Sequence, residues 1–158
     1  MFKNKIFIKN LIVLICLISV SCVGKPPTTI GSFTDCPEKP NCVSTKNTHS
    51  KTYIDPIKYV VSKDEAKKLL FMTLESFVDS RVINEKDNFI YIEFVSEIFG
   101  FVDDVEFYFI KPGIIEFRSA SRIGYSDLGV NRNRMESIRN KFNELSKINQ
   151  SLGESKNV

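Results

Sequence analysis

The sequence predicts an α+β domain in which an antiparallel sheet of about four to five strands is packed by two helices. Three observations carry this. The elements run strand, helix, several strands, helix. The strand-like segments are joined by short turns, so consecutive strands must run antiparallel. Two segments repeat apolar residues at helical spacing, each with one apolar face to lay on a sheet.

Tyr53 to Val61 alternates apolar and polar residues around Pro56, as an edge strand does. The first helix opens at Ser62, with Glu65 three residues on as a capping box; Ala66, Leu69, Leu70, Thr73, Leu74, Phe77 and Val78 share its apolar face. Strands follow at Arg81–Asn84, Phe89–Ser96, Val105–Ile110 and Ile114–Ala120, rich in Phe, Ile, Val and Tyr and split by turn signals such as Lys-Pro-Gly. The second helix is expected from near Asn133, with Glu136 completing a capping box. Met135, Ile138, Phe142 and Leu145 form its stripe, and it should end before Gly153.

Upstream of the domain the chain reads as an export signal. A basic start, Met1 to Lys9, precedes the uncharged stretch from Leu11 to Gly24. That is too short for a membrane span of about 20 apolar residues and suits the apolar part of a signal peptide. Ile18, Ser19, Val20 and Ser21 lead into Cys22 as a lipoprotein signal does, although Ser19 is a weaker fit than the usual Leu. Residues 1–22 are therefore expected to be a signal ending at a lipidated Cys22, with an ordinary cleaved signal or an uncleaved anchor as the alternatives. Residues 23–35, rich in Pro, Thr and Gly, are expected to be a flexible tether, 36–150 the single domain, and 151–158 a polar tail. The expected location is the cell envelope, held to a membrane on its extracytoplasmic side.

Charge removes one class of function. The net charge of +3 comes entirely from Lys3, Lys5 and Lys9, since the remaining 19 basic residues match 19 acidic ones. Nucleic-acid binding needs a basic surplus to neutralise phosphates, so no nucleic-acid partner is expected. Cys36 and Cys42 enclose Pro-Glu-Lys-Pro-Asn, most simply as a disulfide in an oxidising compartment. The rival is a metal site built from both thiolates and His49, the sole histidine, which lacks an obvious fourth ligand.

Strand period places Val105, Phe107 and Phe109 on one face of the sheet with Ile115 and Phe117, and so turns Glu106 and Arg118 to the other as cross-strand partners. The turn chemistry of Lys111-Pro112-Gly113 argues for a register one residue away, because Pro prefers the second turn position. The hydrophobic pattern outweighs it, since the slip would set Phe107 opposite Arg118. Exchanging the two charges should then recover much of the stability that either single change removes.

The segments CPEKPNCVST (Cys36–Thr45), FVDDVEFYF (Phe101–Phe109) and FRSASRIGYSDLGVNRNRMESIR (Phe117–Arg139) resemble the signature blocks of the family called domain of unknown function 1499. The resemblance implies a compact domain often found as an envelope lipoprotein, and supplies no substrate, cofactor or reaction. Its polar pattern falls on Asn41, Asp103, Asp104, Glu106, Arg118, Ser119, Ser121, Arg122, Tyr125, Asp127, Asn131, Arg132 and Arg134.

That pattern has two readings. Arg118, Ser119, Ser121, Arg122, Tyr125, Asn131, Arg132 and Arg134 could gather round an anion at the start of the second helix. Alternatively, Asp103, Asp104, Glu106 and Asp127 bind the arginines and the cluster is architectural, which is the favoured reading. No nucleophile motif such as G-x-S-x-G occurs, and His49 sits in a polar loop. The domain is thus expected to be a non-catalytic envelope module engaging an anionic small molecule, a glycan or a protein. The alternative is a hydrolase or transferase using Asp104, Glu106 and Arg118. No cofactor, catalytic residue or metal ligand is assigned.

Overall fold

The computed structural model describes residues 24–46, 48 and 50–155, the side chains of 154 and 155 excepted; the readings made for Cys22 and His49 lie outside these residues. Its elements are β1 (Cys42–Ser44), β2 (Ile57–Lys58), α1 (Lys63–Glu75), β3 (Ser80–Lys86), β4 (Phe89–Val95), β5 (Val102–Lys111), β6 (Ile114–Ser121) and α2 (Val130–Ser155). The fold is α+β, a six-stranded antiparallel sheet with two helices. Strand order is β1-β6-β5-β4-β3, and β2 also pairs with β6.

The core lies between one sheet face and the helices. Ile90, Ile92 and Phe94 from β4, Val105, Phe107 and Phe109 from β5, and Ile115 and Phe117 from β6 meet Leu69, Leu70 and Leu74 of α1 and Met135, Ile138 and Phe142 of α2. Ser62 caps α1 as expected, its hydroxyl accepting from the Glu65 amide at 3.2 Å. Only half the capping box forms, because the Glu65 carboxylate accepts instead from Asn149 Nδ2 of α2 at 3.1 Å. Val78, expected on the apolar face of α1, lies beyond the helix end and is 90% exposed.

Glu106 pairs with Arg118, the register read from strand period. The turn chemistry is satisfied as well. Lys111 pairs with Ile114 around Pro112 and Gly113, and Gly113 has the positive φ of 75° that this turn position requires. The register shifts between Tyr108 and Lys111, where two residues of β5 oppose one of β6, so a β-bulge reconciles turn and ladder.

Several boundaries differ from expectation. The 36–50 stretch, which reads as turn-forming and polar, contains β1, whose Val43 fills the core opposite Ser119. The segment around Pro56 is a strand only at Ile57 and Lys58, with an isolated parallel bridge between Tyr53 and Ser44 on the other side of the proline, because a proline cannot donate to a ladder. Helix α2 starts at Val130, a turn before Asn133, and the Asn133 amide already donates within the helix to the Gly129 carbonyl. Glu136 pairs with Arg139 rather than closing a box, and the helix continues through Gly153.

The 23–35 segment departs furthest from its expected role as a flexible tether. The Gly31 amide donates to Glu106 Oε2 at 2.7 Å and the Phe33 amide to the Tyr108 hydroxyl at 3.0 Å. Phe33 lies against the Tyr108 ring, with centroids 4.7 Å apart. Residues 24–35 thus form a strap over the sheet face that the helices leave free.

Cys36 and Cys42 are disulfide-bonded, with Cα atoms 5.7 Å apart. The bond takes both thiolates out of the metal alternative. It closes the loop between strap and β1, and chain entropy gives it about 2 kcal/mol. Replacing both cysteines by serine should lower the unfolding free energy by that amount in urea titration, with mass spectrometry showing alkylation of the native pair only after reduction.

Candidate functional site

β5 is buried on both faces, and its alternation sorts the polar residues of the family pattern into two separate networks. On the strap face, Asp104, Glu106 and Tyr108 of β5 stand beside Tyr91 and Glu93 of β4 and Arg118 of β6. All are buried. Burying carboxylates costs several kcal/mol each unless they are paired and hydrogen-bonded, and each of these is.

Arg122 organises the first group. Its Nε and Nη2 donate to Asp104 Oδ1 at 3.0 and 2.8 Å. Nη2 also donates to Glu93 and, at 2.9 Å, to the Tyr91 hydroxyl. Tyr91 has one proton to give, and it goes to Asp104 at 2.5 Å. Arg81 on β3 completes the charge balance by donating to Glu93 Oε2 at 2.8 Å. Burial alone would raise the Glu93 pKa, yet the hydrogen bonds from Arg122 and Arg81 outweigh it and hold the carboxyl below its ordinary value. Burial and then the Asp104 carboxylate push the Tyr91 phenol up. Burial disfavours charge on Arg122, but its bonds to Asp104 and Glu93 prevail and keep it firmly protonated.

The second group on this face is centred on Glu106. Its Oε2 accepts from the Gly31 amide and, at 2.5 Å, from Tyr108, while Oε1 accepts from Arg118 Nη1 at 3.4 Å. Arg118 is the least well satisfied of these arginines, for its Nε is buried without a partner. Charge exchange is consequently less restorative than the sequence suggests: an arginine at 106 would face the donors of Gly31 and Tyr108, which a carboxylate alone suits.

The other network lies on the helix side, where β6 hands the chain to α2. Asn131, fully buried, shares a 2.5 Å hydrogen bond with Ser119 Oγ and donates from Nδ2 to Ser121 Oγ at 3.0 Å and Asp127 Oδ2 at 2.8 Å. Arg134 donates to Asn131 Oδ1 at 3.0 Å and to Asp103 Oδ2 at 2.6 Å, with its guanidinium 4.6 Å from the Phe94 ring centroid. Asp127 is bound by no arginine. It accepts from the Gly129 amide at 3.0 Å and the Asn131 amide at 2.8 Å, capping the first turn of α2. These donors outweigh its burial and lower its pKa. Asn41 Nδ2 donates to the Gly124 carbonyl at 3.0 Å, holding the loop from the far side.

The residues expected to surround an anion are therefore divided. Arg118 and Arg122 lie on the strap face, whereas Ser119, Ser121, Asn131 and Arg134 lie on the helix face with the sheet between them. Arg132 donates to the carbonyls of Lys51 and Tyr53, and Tyr125 is exposed. Asp103, as its position in the strand dictates, is on the opposite face from Asp104 and Glu106. Among the described residues no three His, Cys, Asp or Glu are placed to hold a metal. A surface depression of about 360 Å³ beside Cys42, Lys51, Asp127 and Arg132 does not reach the strap-face network and meets the helix-side network at Asp127. Sequence reasoning passed over Tyr91, Glu93, Tyr108, Arg81 and Gly31. The alternation of Phe89–Val95 could have placed Tyr91 and Glu93, but nothing local points to Gly31.

Two outcomes follow from these geometries. Arg122→Ala leaves Asp104 and Glu93 buried without their main counter-charge and should cost roughly 3–5 kcal/mol in urea unfolding, more than the loss of a surface pair. Asp127→Ala should cost about 1 kcal/mol at neutral pH. Because its folded pKa is depressed, that contribution is complete above the ordinary aspartate value of about 3.9 and is lost as pH falls through the folded pKa. The gap between native and variant stability should therefore close only in acid below that value.

The three segments that carry the family resemblance supply much of these networks: Cys36–Thr45 gives Asn41 and β1, Phe101–Phe109 gives Asp103, Asp104, Glu106 and Tyr108, and Phe117–Arg139 gives Arg118, Arg122, Arg134 and the α2 cap, while Gly31, Arg81, Tyr91 and Glu93 come from outside them. No curated protein matches the chain. The profile of the family described as protein of unknown function (DUF1499) matches residues 32–142, from the strap to the last buried residue of α2, and the chain belongs to that family.

Proposed function

We propose that the chain is a lipid-anchored, extracytoplasmic module of the cell envelope with a binding or structural role and no catalytic one. The observation that carries the non-catalytic reading is the condition of the groups a hydrolase or transferase would use. Asp104 and Glu106 are each 1% exposed and Arg118 is 6% exposed, and the first two are held by Arg122, Tyr91, Tyr108 and the strap. A general acid or base must reach the proton it moves, and these cannot meet a solute while the strap is in place. The residues left to engage an anionic small molecule, a glycan or a protein are on the open surface, Tyr125 and its loop among them.

The anchored, exported reading is supported by the apolar stretch that ends at Cys22 and by the Cys36–Cys42 disulfide, which suits an oxidising compartment. Globomycin treatment or Cys22→Ala should leave unprocessed protein or release it from the membrane fraction; unchanged processing and partition would refute the anchor. For the role, Asp104→Asn and Glu106→Gln should restore a deletion strain in proportion to the folded protein they accumulate. Loss of cellular function at full folded abundance would favour the hydrolase or transferase alternative.

A further inference from the structure

The sheet has two unlike ends. Where β4 passes to β5 and β6 to α2, the loops 96–101 and 122–129 lie side by side, because Val95 pairs with Val102 and Asp103 with Ser121. The turn 76–79 before β3 is at the same end, since Ser80 pairs with Phe94. These connections expose Val78, Ile98, Phe99, Phe101, Tyr125 and Leu128. Phe99 and Phe101 stack on each other with ring centroids 5.6 Å apart. Leu128 holds a positive φ of 54° with its side chain 93% exposed, a backbone conformation unfavourable to leucine that displays rather than buries it. Between Ser96 and Phe101 the only charge is Glu97, and between Ile123 and Val130 only Asp127, whose carboxylate is engaged by the helix; the 76–79 turn adds Asp79, and the neighbouring 37–41 loop adds the exposed Glu38 and Lys39. The opposite end carries Lys58, Lys63, Lys86, Asp87 and Lys111.

The described part of the strap begins at the apolar end. Gly24 lies so close on the start of the 122–129 loop that an added Cβ would meet Ile123 Cγ2 at 3.1 Å and Arg122 Cβ at 3.2 Å. Cys22 is two residues further on, at most about 7 Å of extended chain. Further along, the strap is hydrogen-bonded to Glu106 and Tyr108 through the Gly31 and Phe33 amides.

From this geometry we infer that the apolar end of the sheet is a bilayer-docking surface: the 96–101 and 122–129 loop tips insert Ile98, Phe99, Tyr125 and Leu128 into the membrane interface beside the anchor. The inference rests on the lipid-anchor reading above. It adds that the domain lies down on the bilayer in one orientation. Aromatic and aliphatic tips with few charges suit the headgroup boundary, where the gain is buried apolar area. The contact is apolar and does not depend on lipid charge, so raising the salt, which shortens the Debye length, leaves it intact.

The chain has no tryptophan, so a single introduced indole reports on its own surroundings. The full chain carrying its anchor, with Phe99→Trp, Tyr125→Trp or Val60→Trp, is reconstituted into vesicles of phosphatidylcholine and phosphatidylglycerol. Val60 is exposed at the charged end and serves as the control. With bromine on the lipid chains, Phe99→Trp and Tyr125→Trp should show blue-shifted emission and lose most of their intensity at low and high salt, while Val60→Trp keeps the emission of an indole in water. Vesicle flotation separates the two claims. Protein that floats but whose loop reporters match Val60→Trp overturns the docking surface alone; protein that fails to float overturns the anchor and the docking with it. Blue-shifted loop reporters that bromine does not quench would show a protein partner or a second copy on this end, and would also overturn the proposal.

Discussion

The central strand β5 must bury both of its faces, and the rest of the molecule follows from how it does so. A strand that alternates valine and phenylalanine with aspartate, glutamate and tyrosine can hide one face in a hydrocarbon core without difficulty. The other face is costly, because buried carboxylates without counter-charges cannot be sustained. Arg118 on β6, Arg122 just past its end and Arg81 on β3 supply the charge, and the strap then closes over them with two backbone donors. Sheet order and strap are two parts of one solution. The charged layer is also a device for specificity, since a slip of one residue would turn every one of these groups into the helices.

Much of this was legible in the chain, and the places where it was not have physical causes. The Glu106–Arg118 pairing could be read because a period of two leaves only one face for each residue. The conflict between the Lys-Pro-Gly turn and that register came from treating the hairpin as a regular ladder; the bulge lets both signals hold. β1 escaped notice because three residues cannot show a period, and its place is fixed by the β6 edge and by the disulfide next to it. The start of α2 was hidden because the cap comes from Asp127, three residues before Val130, instead of from the residue at the boundary. The strap was the least legible: backbone amides dock it, and backbone amides are the same in every sequence.

The candidate site shows the same limit. Counting polar residues in Phe117–Arg139 suggests a single cluster, since sequence proximity carries no information about which side of a strand a residue takes unless the period is followed through the loop. Alternation sends Arg118 and Ser119 to opposite faces, and the helix draws Asn131 and Arg134 to the second of them. What looks dense along the chain is two thin layers in space, each balanced by its own carboxylates. Asn131 joins Ser119, Ser121, Asp127 and the Asn41 carbonyl around one side chain, so it knits β1, β6 and α2 at the point where a loop would otherwise leave polar atoms bare.

The disulfide has a mechanical consequence. Any pull on the chain upstream of Gly24 travels along the strap, and at Cys36 it meets a covalent bridge to Cys42 at the start of β1. Tension therefore bypasses residues 37–41 and loads β1 against β6. The Gly31 and Phe33 bonds along the strap and the β1–β6 ladder share that load over several hydrogen bonds. The loop inside the bridge lies off that path and carries none of the load.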